Sequence, residues 1–117
     1  MADAPPTPTP YARLVQARAE RRRAAALAAV AAAARAAAAH GASLKVFGSL
    51  ATGRFRETSD IDLAVDGPAD RLEAAATAAW LAVVDAGFDC DVVRLDLAPP
   101  GLVARVRADG REPGALV

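Results

Sequence analysis

The feature that most restricts the fold is a strand–turn–strand unit near the middle of the chain. The apolar residues 44–47 predict a short strand, which Gly48-Ser49 ends in a tight turn. A second apolar segment, residues 61–65, begins between Asp60 and Asp62. Successive strand side chains point to opposite faces, so Asp60 and Asp62 share one face. Two neighbouring carboxylates repel each other unless a cation lies between them. Because the Gly48-Ser49 turn nearby is of a size to accept a phosphate, the cation that fits best is magnesium bound to a nucleotide.

Length and composition allow one small domain. The chain has 117 residues, of which 54% are hydrophobic but only 4% aromatic, because alanine supplies much of the apolar content. Alanine buries little area, so we expect the core to rest on Leu, Val, Ile and Phe residues and on Trp80. The formal net charge is zero, which predicts no direct binding of nucleic acid. Cys90 is the only cysteine and has no disulfide partner, which fits a cytoplasmic setting.

The N-terminal third predicts a flexible arm followed by a long helix. Residues 1–10 contain four prolines and lack the pattern of a signal peptide, while the alanine run 24–34 is too short for a membrane span of about 20 residues. We expect one domain over residues 11–117, with a helix over 11–40 that stops at His40-Gly41. Such a helix is about 45 Å long, whereas a compact domain of this size has a radius of gyration of ~13 Å. Part of the helix is therefore expected to overhang the body or meet a partner.

The remaining segments complete a small α/β (α+β) fold. A helical turn is predicted over residues 50–54, a loop over 57–59, a helix over 71–86, a strand over 88–95 and a helix over 102–108. Asp70 is the predicted N-cap of the second long helix, with Glu73 completing a capping box. Leu72, Ala76, Ala79, Trp80 and Val83 give that helix one apolar face. The order of elements predicts a small mixed sheet with helices packed on one side.

The residues at the turn and the aspartates suit phosphoryl chemistry. Gly48 lets the backbone approach a triphosphate, and Ser49 offers a hydroxyl. Asp60 and Asp62 are predicted magnesium ligands, since carboxylates and phosphate oxygens together satisfy that ion. A two-metal site needs a third carboxylate from a neighbouring strand. Asp91 is the best candidate, and Asp89, which has the same parity, is the second.

Gly48-Ser49, ten further residues and Asp60-Ile61-Asp62 resemble the signature of the DNA polymerase β-like nucleotidyltransferase superfamily. The short length, residues 91–95 and the ending at 106–110 are similar to its minimal nucleotidyltransferase branch, and the resemblance covers residues 44–110. It implies a palm-like catalytic core that transfers AMP from ATP to a hydroxyl with two magnesium ions. Asp60 and Asp62 match the family's metal ligands, and Asp91 matches the third carboxylate and the base.

One departure from the family pattern concerns phosphate charge. Many relatives carry arginines just after the Gly-Ser pair, where this chain has Leu50 and Thr52. Arg54, Arg56 or Lys45 would have to take that role, and Arg54 is the predicted nucleotide-binding residue.

The acceptor of the transferred group is expected to come from another molecule. Larger relatives add a helical domain for the acceptor, and the sequence offers none. Minimal relatives are antitoxins that adenylylate a tyrosine of a HEPN-domain ribonuclease toxin, and the resemblance implies that role here. The arginines at 21–23 suit a partner surface or a solvated helix face. Two alternatives stay open: a small-molecule or antibiotic nucleotidyltransferase that works as a dimer, and a non-catalytic antitoxin that neutralises its partner by binding.

Overall fold

The computed structural model describes residues 6–56 and 58–116. Residues 1–5 of the predicted arm and Glu57 of the predicted loop lie outside this part of the chain. The helices are α1 (Pro10–Ala38), α2 (Gly48–Thr52), α3 (Ala69–Asp85) and α4 (Pro100–Asp109), followed by a short 3-10 turn (Pro113–Ala115). The strands are β1 (Ser43–Phe47), β2 (Ile61–Asp66) and β3 (Cys90–Arg94). Each predicted helix and strand is present, with its ends shifted by a few residues.

The three strands form one mixed sheet in the order β1-β2-β3, which confirms the predicted fold class. β1 pairs antiparallel with β2, and β2 pairs parallel with β3. The outer edge of β1 is closed by Arg111, whose backbone exchanges two hydrogen bonds of 2.8 Å with Val46. β3 forms the opposite edge of the sheet.

The two long helices pack together on one face of the sheet, and alanine forms much of their contact. Leu44, Val46, Ile61, Leu63 and Val65 point from the strands into this core. The buried helix positions include Ala26, Ala29, Ala33, Ala37, Ala75 and Ala79. Small side chains let helices approach closely, so alanine contributes through close packing.

The expectation that Trp80 supports the core is wrong. Its side chain is 43% exposed, while the neighbouring Ala79 and Val83 are fully buried. One helix face has room for only a narrow buried stripe, and Leu72, Ala79 and Val83 occupy it.

The predicted capping box of α3 is also wrong. α3 begins at Ala69 with Pro68 in the N-cap position, and no side chain caps it. The turn before it is held by Asp66, whose Oδ1 accepts a 3.0 Å bond from the Gly67 N–H. Since the helix starts two residues earlier than expected, Asp70 lies inside the first turn, where its charge still favours the helix.

α4 lies against the opposite face of the sheet, beside the smaller apolar cluster. There Val106 is buried with Phe47 and Ala64, and Leu102 and Val93 pack against them. Phe47, Ala64 and Val93 alternate with the side chains that face α1 and α3, so they belong to the second face. This second face also receives the side chain of Asp62.

The first half of α1 extends past the rest of the molecule, as its length predicts. The molecule measures 61 × 29 × 20 Å and its radius of gyration is 16.5 Å, compared with ~13 Å for a compact domain of this size. No residue from 10 to 21 is buried, and we call this segment the overhang. None of the described helices is both long and apolar enough to cross a membrane.

Arg22 joins the end of the overhang to the body. Its guanidinium carbon lies 3.7 Å from the centre of the Phe88 ring, and its Nη2 donates a 3.2 Å bond to the Gly87 carbonyl. Phe88 in turn contacts the ring of Phe55, with 6.3 Å between ring centres. Arg22 is one of the three arginines predicted for a partner surface, and it makes these contacts within the chain instead.

Candidate functional site

The turn at Gly48 brings the end of β1 against the carboxylate of Asp62. Gly48 has φ +70°, in the left-handed region that favours glycine. A Cβ at this position would collide with Asp62 Oδ2 and lie 3.1 Å from Asp62 Cγ. Position 48 therefore requires glycine both for its backbone conformation and for the space that Asp62 occupies.

The strand register places Asp91 beside Asp62. Asp62 on β2 is the parallel partner of Asp91 on β3, and Phe47 is its antiparallel partner on β1. Side chains of paired residues lie on the same face, so both carboxylates face the α4 side. Asp60 directly precedes β2 and is exposed.

Asp89 lies outside the strand and does not share this register. The structured part of β3 begins at Cys90, after Asp89. The carbonyl of Asp89 accepts a 3.0 Å hydrogen bond from the Ile61 N–H. Asp89 itself is exposed. Of the two carboxylates considered from the sequence, Asp91 is the one opposite Asp62.

The carboxylates act on one another electrostatically. Burial raises the pKa of Asp62 above its ordinary value, and the charges of Asp91 and Asp60 raise it further. Arg105 on α4 has the opposite effect and lowers the pKa of Asp62. Two neighbouring negative charges thus act on Asp62, and one arginine opposes them.

A cavity of about 460 Å³ opens in front of Asp62. It is lined by Phe47, Gly48, Ser49, Thr52, Arg54, Asp62, Arg105 and Asp109. Four of the six residues predicted for the site are therefore at this cavity: Gly48, Ser49, Arg54 and Asp62. Asp60, Asp91, Lys45 and Arg56 are not among the lining residues.

Asp91 lines a second cavity of about 350 Å³ along β3, together with Trp80 and Thr77. The neighbouring thiol of Cys90 also lines it. Burial and the charge of Asp91 raise the pKa of Cys90 to about 12, so this thiol stays protonated and is not an activated nucleophile. Asp91 thus lines this second cavity and not the cavity in front of Asp62.

The donor set suits magnesium. Among the residues described, no three His, Cys, Asp or Glu side chains form a ready metal cluster. Magnesium usually binds through one or two carboxylates, with phosphate and water oxygens completing its shell. Asp62, flanked by Asp60 and Asp91, offers hard oxygen ligands and an excess of negative charge that a divalent cation would relieve.

Arg105 and Asp109 also line the larger cavity, and the sequence did not predict them there. They are four positions apart on α4, so they lie on one side of the helix. The buried Val106 shows which side of α4 packs on the sheet, and Arg105 lies next to it. The only signal in the sequence is this spacing, and it does not predict that the two side chains face the cavity unless the position of α4 is known.

The comparisons with known proteins agree with this geometry. The family Polymerase beta, Nucleotidyltransferase matches residues 42–112, which is more than half of the chain. The chain therefore belongs to the polymerase β-type nucleotidyltransferase family. A search of the curated proteins gave no match.

Among solved structures, the chain is similar to one from a crystal structure of a toxin-antitoxin with AMP-PNP. The two share 27% sequence identity, with a TM-score of 0.46, over 60% of this chain and 57% of that chain. The match thus spans little more than half of the length of that chain.

Proposed function

We propose that this protein is a magnesium-dependent nucleotidyltransferase that transfers AMP from ATP to a hydroxyl group of a partner protein. The observation that carries the proposal is the Asp62 carboxylate beside Gly48, at a cavity lined by Arg54 and Arg105, with Asp91 paired to Asp62 on the next strand. Membership of the nucleotidyltransferase family supports this class of chemistry.

The residues of the larger cavity would bind the triphosphate. Arg54 and Arg105 supply positive charge at its wall, and Ser49 offers a hydroxyl donor. Arg105 takes the role that the relatives' arginines at positions 50 and 52 would have. Asp60, Asp62 and Asp91 would hold two magnesium ions, whose chemistry is to neutralise charge on the phosphates and on the leaving pyrophosphate.

The reaction is a displacement at the α-phosphorus of ATP. The oxygen of the acceptor hydroxyl forms a bond to this phosphorus, and the bond to the pyrophosphate oxygen breaks. Pyrophosphate leaves with the electron pair of that bond, and Asp91 accepts the proton of the hydroxyl. The product is a phosphodiester between AMP and the acceptor.

The acceptor that we propose is a tyrosine of a HEPN-type toxin, so that this chain is the antitoxin. The support is the similarity of the motif at residues 48–65 to minimal nucleotidyltransferases.

Transfer of radiolabel tests the enzyme activity. The chain is incubated with magnesium, ATP labelled at the α-phosphorus and the protein encoded by the neighbouring gene, which we expect to be the HEPN toxin. We expect label on the toxin, and Tyr-to-Phe substitution of the modified residue should remove it. Asp62→Asn should lower the rate about a hundredfold or more. Asp91→Asn should act similarly, whereas Asp89→Asn is the matched control and should keep the activity. No transfer by the native protein, or equal transfer by Asp62→Asn, would reject the proposal.

A second candidate is a non-catalytic antitoxin that neutralises its partner by binding. It is favoured by the lack of three metal-binding side chains close together in the described part of the chain. In that case a variant with Asp60→Ala and Asp62→Ala should still protect cells from the toxin. Loss of protection in the double variant, with toxin binding retained, would instead favour catalysis.

A further inference from the structure

We propose that two copies of this chain associate through the overhang of α1, which packs on the outward face of α3 in the other copy. This association would use surfaces on the face of the sheet opposite α4, away from the cavity in front of Asp62. The proposal depends on the position of the apolar and charged side chains of α1 and α3.

The buried stripe of α1 continues into the overhang. Within the body, Ala26, Ala29, Ala33 and Ala37 are buried at spacings of three and four residues. The same spacing, continued towards the N-terminus, passes through Arg22 and Arg18 to Val15 and Tyr11. Tyr11 is 75% exposed and Val15 is 46% exposed. The side of α1 that packs inside the body thus carries two arginines and then two exposed apolar residues, Val15 and Tyr11, beyond the body.

The overhang continues past the end of its helix partner. α1 and α3 run antiparallel, because Arg22 contacts the Gly87 carbonyl just after α3, while Arg71 near the start of α3 lies close to Gly41. α3 therefore ends level with Arg22. Residues 10–21 extend about 18 Å further, at ~1.5 Å per residue. Along this length none of the described helices packs against this side of α1.

The outward face of α3 is the second surface. It consists of Thr77, Trp80, Leu81 and Val84, which follow the i, i+3, i+4, i+7 spacing of one helix side. Trp80 is 43% exposed and Leu81 is 47% exposed. An exposed tryptophan beside two exposed aliphatic residues is a common feature of interface centres.

The charges of the two surfaces are complementary. The exposed arginines of the overhang are Arg13, Arg18 and Arg21, with Glu20 as its one acid. The exposed acids of α3 are Asp70, Glu73 and Asp85, and its one basic residue, Arg71, lies towards Gly41. Two overhangs facing each other would bring arginine against arginine. An overhang on α3 brings arginine against carboxylate, so the charge pattern selects α3 as the contact surface.

The native protein and paired charge reversals test this arrangement. The mass of the full chain is measured by light scattering during size exclusion, over a concentration series at low salt. We expect the mass to approach twice that of the monomer as the concentration rises. Salt at 1 M shortens the Debye length to about 3 Å and should weaken the association.

Charge reversal on either surface should leave a monomer. One variant carries Arg13→Glu, Arg18→Glu and Arg21→Glu, and the other carries Glu73→Lys and Asp85→Lys. In each variant the overhang and α3 have charges of the same sign. An equimolar mixture restores opposite charges at both contacts, so we expect the doubled mass to return. Ala24→Glu with Ala28→Glu, on the opposite side of α1, is the matched control and should behave as the native chain.

Two results would overturn the proposal. The first is a native chain that stays monomeric at every concentration at low salt, which would leave these surfaces to a different protein. The second is an α3 variant that associates as the native chain does, which would mean that α3 is not the contact. Thermal unfolding of each variant shows that it is folded, and recovery of the doubled mass on mixing excludes misfolding as the cause of a monomer.

Discussion

Gly48 lies so close to Asp62 that any side chain at position 48 would overlap the carboxylate Oδ2. Gly48 directly follows β1 and Asp62 lies on β2, and the pairing of Phe47 with Asp62 brings them together. The Gly-Ser turn and the Asp-x-Asp motif are therefore one structural unit. The spacing of the two motifs in the sequence allows the second strand to return antiparallel to the first.

Substitution of Gly48 by alanine is expected to destabilise the protein and remove nucleotide binding. Alanine at φ +70° costs about 1–2 kcal/mol, and displacement of Asp62 adds to this cost. Gly53→Ala is the matched control, because Gly53 has φ +78° but nothing within 4 Å of a Cβ. Gly53→Ala should lose only the folding free energy that the left-handed backbone conformation costs, and it should still bind Mg-ATP. Urea unfolding and calorimetric titration with Mg-ATP measure the two effects. Equal loss of binding in both variants would mean that contact with Asp62 is not the cause.

Without bound magnesium, the ionised Asp62 carboxylate is expected to reduce the stability of the folded chain at neutral pH. Its pKa in the folded state is raised above the ordinary value of 3.8 by burial, Asp91 and Asp60. The contribution of this carboxyl group to stability is therefore fully present below pH 3.8 and is lost as the pH rises through the folded-state pKa. Asp62→Asn cannot ionise, so in EDTA its melting temperature should match that of the native chain at low pH and exceed it at neutral pH.

With magnesium and a nucleotide, the native chain should melt at a higher temperature than Asp62→Asn at neutral pH. A ligand that binds only the folded state raises its stability, and Asp62→Asn should lose this gain. Thermal melts with and without Mg-ATP check the reversal. A native chain that is already more stable than Asp62→Asn in EDTA at neutral pH would contradict the expected sign.

The sequence predicted this site in part, and the limit has a physical reason. Gly48, Asp60 and Asp62 belong to local patterns, and the parity of Asp91 follows from the alternation of strand side chains. Arg105 and Trp80 were not predicted correctly, because their positions depend on which side of a helix meets the sheet. α3 and α4 contain enough small or apolar residues for more than one packing face. Tertiary contacts decide between them, and local spacing does not.

Arg105 is expected to be needed for nucleotide affinity. It lines the larger cavity and lowers the pKa of Asp62, which shows that its charge acts at that carboxylate. A charge-assisted hydrogen bond to phosphate is worth about 1.5–3 kcal/mol, so Arg105→Gln should weaken Mg-ATP binding about tenfold or more. Arg107→Gln on the same helix is the control, since Arg107 is exposed and lies outside the cavity. A similar loss in the two variants would indicate a general charge effect.

Arg22 is expected to stabilise the junction between α1 and the turn before β3. It contacts the Phe88 ring and donates to the Gly87 carbonyl, so Arg22→Ala should lower the free energy of unfolding by about 1–3 kcal/mol. Arg21→Ala removes an exposed neighbour and should change it by no more than about 0.5 kcal/mol. Urea unfolding of these variants, and of Phe88→Leu alone and combined with Arg22→Ala, isolates the contribution of the ring contact. If the effects of Phe88→Leu and Arg22→Ala simply add, the ring contact contributes nothing and this interpretation of Arg22 is wrong.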